Sequence, residues 1–168
     1  MLSLTIALPL VGALVLAAMP ATSDGPVRLV ALIASLAAFV SSVVLLFQFD
    51  LGDPNLQLAE SWTWIPMLDA RIAFAVDGVS LLLILLTTLL TPLVLLASWS
   101  SVTDRLRGYA AAFLVLEAAV IGVFAATDLL LFYIFFEFTL VPMYLIIGIW
   151  GGAGRRYAAV KFFLYTLF

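Results

Sequence analysis

LLLFYIFFEFTLVPMYLIIGIW, residues 129–150, carries a single charged side chain, Glu137, near its middle. At about 1.5 Å per residue, this apolar run is long enough to cross a hydrocarbon core of roughly 30 Å as a helix. A charge at the centre of such a helix costs about 2.5 to 3.5 kcal/mol on insertion scales. A residue of this kind tends to face a bundle interior or a wet cavity, and it often marks an ion or proton path. The competing reading is a structural carboxylic acid that hydrogen-bonds across helices.

Outward from this run, the rest of the chain is equally apolar. Of its 168 residues, 66% are hydrophobic and 10% charged, and the mean hydropathy is +1.28. Soluble domains carry about 25% charged residues, so the composition is that of an integral membrane protein. Cys and His are both absent. That excludes thiolate-held iron–sulfur clusters, Cys or His zinc sites and His-ligated haem on this chain, so no metal or redox cofactor is expected here. The first Lys or Arg is Arg28. The N-terminal apolar stretch therefore lacks the basic region of a secretory signal and reads as a retained span. Phe168 falls inside the apolar run AAVKFFLYTLF, which is too short to span and suits a piece of a longer protein.

Hydropathy predicts an all-α polytopic membrane protein of about six transmembrane helices, the sixth incomplete: Leu2–Met19, Val27–Phe49, Gly78–Trp99, Tyr109–Thr127, Leu129–Trp150 and a last one from near Tyr157. Asp77 and the Thr127-Asp128 pair are candidate N-caps. Pro20, Gly25 and Pro26 are expected to part the first two helices. Arg28, Arg105, Arg107, Arg155 and Arg156 fall in loops on one side, against Arg71 alone on the other. The positive-inside rule then puts the N-terminus outside, in the periplasm of a bacterium whose inner membrane holds the chain. Trp62 and Trp64 outside, with Trp99 and Trp150 inside, fit as interface anchors.

Four segments follow: residues 1–49 with the first two helices, 50–77 on the outer face, 78–108 with the third helix and an inner loop, and 109–168. In the outer segment, residues 71–76 loosely alternate, with Ile72, Phe74 and Val76 on one face. Residues 60–64 could supply a partner strand, with a turn near Pro66 to Asp69. A lone hairpin is marginal in water, so it would need another surface to lie on. The alternative is an irregular amphipathic loop.

Three further residues join Glu137 as candidates. Glu117 lies about ten residues before the turn at Thr127-Asp128, and Glu137 about as far after it, so both sit roughly 15 Å from the outer face. If two carboxyls at one depth on adjacent helices approach closely, they resist being charged together, which would tune a proton relay. Lys161 lies about one turn into the sixth helix, on the order of 10 Å along the axis from Glu137. Water could couple the two, or Lys161 could snorkel to the interface beside Arg155 and Arg156. Pro142 frees the carbonyl of Phe138, next to Glu137, inviting water or a hydroxyl such as that of Thr139.

Several motifs together resemble a known family: Glu117-Ala-Ala-Val-Ile-Gly122, Phe135-Phe-Glu137-Phe-Thr-Leu-Val-Pro142-Met143-Tyr144, Trp150-Gly151 and Tyr157-Ala-Ala-Val-Lys161-Phe-Phe-Leu-Tyr165. They are similar to the antiporter-like membrane subunits of proton-pumping NADH:quinone oxidoreductase, complex I. The Glu-Phe-Thr-Leu-Val-Pro-Met form is closer to subunit M, whose mitochondrial counterpart is subunit 4, than to sister subunits L and N. The Ala75-Val-Asp77-Gly78-Val-Ser80 entry to the third helix looks like the same family. The match is strongest from about residue 110 onward.

The resemblance implies about fourteen helices with two inverted repeats of five, the first repeat starting in residues 109–168. It implies proton translocation coupled to quinone reduction elsewhere, no cofactor on this chain, and other complex I membrane subunits as partners, with no nucleic acid. It assigns the relay to Glu137, Glu117 and Lys161, with Pro142 shaping the helix. The family lysine on the seventh helix, which partners the acid matching Glu137, lies beyond these residues. Two alternatives stand beside this reading: a subunit of a multi-subunit sodium/proton antiporter, and a passive membrane scaffold.

Overall fold

The computed structural model describes residues 1–20, 24–68 and 70–167. Six helices run through them: α1 (Leu2–Ala18), α2 (Asp24–Gln48), α3 (Gly78–Ala97), α4 (Leu106–Ala125), α5 (Leu129–Trp150) and α6 (Arg155–Leu167). Between α2 and α3 lies an antiparallel hairpin of β1 (Gln57–Ile65) and β2 (Ala70–Val76), joined by a short 3-10 turn at Pro66–Leu68. The fold is the expected all-α membrane bundle. Helices α2 to α5 are long and apolar enough to cross a bilayer, whereas the 17-residue α1 sits at the lower limit and the 13-residue α6 is too short. Phe168 and Asp69 lie outside the described residues.

Two helix starts come three residues earlier than hydropathy predicts, α2 at Asp24 instead of Val27 and α4 at Leu106 instead of Tyr109. Gly25 and Pro26 do not separate α1 from α2; they form part of the first turn of α2, which begins at Asp24. The first-turn N–H groups of a helix have no intrahelical acceptor, so proline costs little there. The other expected caps hold. Asp77 accepts from the Ser80 N–H at 2.7 Å and Asp128 from the Leu131 N–H at 3.0 Å. Those backbone donors hold both carboxyls below the usual carboxylate range.

Helix α4 is the pivot, packed against α1, α5, α3 and α2. Small residues make this possible: Ala110, Ala118, Ala119, Gly122 and Ala125 are all buried, letting neighbouring backbones come close. Hydroxyl pairs tie the other helices, Thr5 to Ser41 between α1 and α2 at 2.7 Å, and Ser42 to Thr88 between α2 and α3 at 2.8 Å.

The hairpin finds its supporting surface within the chain. Phe74 and Val76 enter the core with Leu2, Leu45, Leu81 and Ile121. The Ala73 carbonyl accepts from the Thr127 N–H at 3.0 Å, and the Arg71 N–H donates to the Asp128 carboxylate at 3.2 Å. Across the bundle, the Glu60 carboxylate accepts from the Ser3 N–H and pairs with the Met1 ammonium group. The hairpin thus clamps the α4–α5 turn to the start of α1. Leu58 and two register shifts in the ladder mark where β1 bulges.

Candidate functional site

Glu117 faces inward from the middle of α4 and is only 1% exposed. Neither of its carboxyl oxygens has a hydrogen-bond partner among the described residues. Beside it lies a cavity of about 200 Å³ lined by Thr87, Leu90, Thr91 and Val94 of α3 with Phe113 and Val120 of α4. No α5 residue lines this space. The Thr87 and Thr91 hydroxyls donate to the carbonyls of Leu83 and Thr87, which leaves their lone pairs free to accept. A buried carboxyl with orphaned oxygens, beside a mainly apolar space that also holds two threonine hydroxyls, is a setting in which bound water can supply the missing partners.

Glu137 occupies different surroundings. It is half-buried on α5, the least enclosed of the spanning helices, with Tyr133 one turn earlier on the same helix as its electrostatic neighbour. The spacing of Tyr133 and Glu137, four residues on a helix, could have flagged this pair. Glu117 and Glu137 stand about equally far along the chain from the α4–α5 turn, and α4 and α5 pack as an antiparallel hairpin. Depth does not decide facing. Glu117 opens toward α3, while Glu137 stays half-buried beside Tyr133 of its own helix.

Lys161 is exposed on α6, its ammonium 5.8 Å from the Tyr157 ring centre and 5.6 Å from that of Tyr165. The aromatic pair at four residues before and after gives the cation π-faces on its own helix. Among the described residues no ion pair joins Lys161 to Glu137. Pro142 is buried within α5, and the helix runs unbroken through it. The Thr139 hydroxyl, expected as a candidate donor to the carbonyl that Pro142 frees, donates instead to the Phe136 carbonyl at 2.7 Å. A threonine hydroxyl reaches the carbonyl three or four residues behind it, not that of its immediate neighbour.

The unpartnered state of Glu117 makes a testable statement. An unsatisfied buried polar group costs about 1 to 3 kcal/mol, and leucine fills a similar volume without that cost. Glu117→Leu in the full-length protein is therefore expected to leave the melting temperature of the assembled complex unchanged or higher. Proton transport should fall if the carboxyl carries protons. A clear drop in stability would mean that Glu117 has a partner after all.

Residues 3–127 match the family model described as NADH-ubiquinone oxidoreductase chain 4, amino terminus, and residues 126–168 match NADH:quinone oxidoreductase/Mrp antiporter, TM. NADH-quinone oxidoreductase subunit M of Rhodobacter capsulatus is 49% identical over 99% of the chain and 33% of its own length. NADH-ubiquinone oxidoreductase chain 4 of Arabidopsis thaliana is 42% identical over 95% of the chain and 32% of its own length. A chain of respiratory complex I from Thermus thermophilus superposes with a TM-score of 0.82 at 32% identity, over 99% of this chain and 33% of that one. The chain thus spans about a third of the length of the relatives it matches. With its apolar helices it is a multi-pass membrane protein. The chain belongs to the chain 4 and subunit M family of NADH:quinone oxidoreductases.

Proposed function

We propose that this chain forms part of a proton-translocating, antiporter-like subunit in the membrane arm of an NADH:quinone oxidoreductase. The observation that carries the proposal is Glu137, a half-buried acid in the middle of the otherwise uncharged spanning helix α5. In this reading Glu137 takes up and releases a proton. Glu117 serves as a second proton-binding group with access to the α3 side. Lys161 adds a positive charge whose position relative to Glu137 changes the acid's affinity for its proton. Pro142 removes one backbone donor close to Glu137 and so favours local hydration.

Moving one charge against the membrane potential requires about 2.3 kcal/mol per 100 mV. In this reading that energy comes from quinone reduction in partner subunits. It arrives as conformational or electrostatic change through neighbouring antiporter-like subunits. Five arginines stand at the end of the bundle opposite the hairpin, which supports an N-terminus and hairpin on the periplasmic side of a bacterial inner membrane. Residues 109–168 then begin the first antiporter-like repeat, and residues 50–77 form an outer surface for neighbouring subunits.

A second reading, a subunit of a sodium/proton antiporter, draws on the family description matched by residues 126–168, which covers both kinds of protein. Transport by the full-length subunit in its native assembly separates them. Proton uptake into inverted vesicles is expected on NADH addition, without a sodium gradient. Proton movement driven by sodium and indifferent to NADH would overturn the first reading in favour of the second.

A further inference from the structure

At the arginine end of the bundle, the start of α4 and the α5–α6 junction enclose a groove of about 490 Å³. Arg105, Arg155 and Arg156 line it, with Asp104 as the one carboxylate and Trp150 beside them. The other basic residues at this end are already engaged. Arg107 donates to the Met19 carbonyl, and Arg28 lies 5.6 Å from the centre of the Trp99 ring. Within the groove, one N–H of Arg155 closes the last turn of α5 by donating to the Ile149 carbonyl. Arg105 and Arg156 are exposed and hold no side-chain partner among the described residues.

Two features make the groove more than a consequence of topology. Helices α4 and α6 both start at its edge, and their two positive dipole ends outnumber the negative end of α5 that meets the same groove. Trp150 is fixed in place as well: its indole N–H donates to the Asp104 carbonyl at 2.8 Å, and its ring meets Tyr109 edge-on at 5.4 Å. Trp150 ends the spanning helix α5, which puts this cluster at headgroup depth. Arg105 itself sits at φ 52°, a left-handed conformation that residues other than glycine, asparagine and aspartate seldom adopt because of their Cβ.

We propose that this groove binds the phosphodiester of an anionic phospholipid. The planar forks of Arg105 and Arg156 engage the phosphate oxygens, and Trp150 flanks the glycerol. Arginine suits this task because its donors match phosphate two at a time, and basic pockets between spanning helices are a recurrent form of headgroup recognition. The inference needs α5 to span the membrane, but it does not depend on which leaflet the groove meets or on any proton path.

Photoactivatable phosphatidylglycerol and phosphatidylcholine, each placed in phosphatidylcholine vesicles holding the full-length subunit in its assembled complex, test the site. Phosphatidylglycerol is expected to label the peptide around residues 148–156 in preference to phosphatidylcholine. The preference should drop by on the order of thirtyfold in an Arg105→Gln, Arg156→Gln double variant, less at raised ionic strength. A double lysine variant should keep much of it. Equal labelling by the two lipids, or an unchanged preference in the glutamine variant, would overturn the proposal. Displacement of the label by inorganic phosphate alone would reassign the groove to a free anion. Should the glutamine variant fail to assemble, the two-lipid comparison on the unaltered protein decides.

Discussion

Glu137→Gln in the full-length protein is expected to abolish most NADH-driven proton pumping while the complex assembles normally. Glutamine keeps the shape of the side chain and its hydrogen-bonding capacity, so the packing of α5 should survive. What is lost is the capacity to bind a proton. A charge left without such a site near mid-membrane costs about 2.5 to 3.5 kcal/mol, enough to slow transfer on the order of a hundredfold. The measurement is the ratio of protons moved to NADH oxidised in vesicles, with native gels to follow assembly. Undiminished pumping in a fully assembled complex would remove Glu137 from the mechanism and leave the passive scaffold as the better account. Glu137→Asp gives a useful control, since it retains the titratable group on a shorter arm.

Gly122→Ala should strongly disturb the packing between α4 and α5. A Cβ at Gly122 would come within 2.3 to 2.6 Å of the Phe135 ring, distances that real side chains do not adopt. The ring has little freedom to yield. It packs at 6.0 Å from Phe74, which anchors the hairpin over the α4–α5 turn. Overpacking of this kind costs about 1 to 3 kcal/mol, and valine should cost more. We expect a lower melting temperature and less assembled complex for Gly122→Ala, and little assembled complex for Gly122→Val. Phe135→Leu should partly rescue Gly122→Ala by opening the seam, a coupling that a double-mutant cycle would reveal. Additive effects of the two changes would mean that α4 and α5 do not meet at this point.

How much of this was legible in the sequence depends on how far each signal travels along the chain. Asp77 and Asp128 act within one helical turn, and both cap the helices they precede. The alternation in residues 71–76 is equally local, and it forms a strand with Phe74 and Val76 buried. The boundary between α1 and α2 was misplaced because Gly25 and Pro26 signal a break in a helix interior but are tolerated in a first turn. The site was readable as residue types and depths. Glu117 and Glu137 stood out because acids in apolar runs are costly, whereas the direction each one faces depends on helix rotation, which apolar residues all round do not encode.

Composition and hydropathy by themselves determined that this chain crosses a membrane, how many times it turns back and which end of the bundle holds its arginines. Hydrocarbon forces each stretch to satisfy its own backbone, so these features follow from local residue content. Only tertiary packing decided that Gly122 receives the Phe135 ring, that Glu117 opens toward Thr87 and Thr91 instead of Glu137, and that Arg105 meets Arg155 and Arg156 across one groove. Each of these joins residues on different helices. Their meeting depends on the rotation and close approach of whole segments, which small residues permit and no single segment specifies.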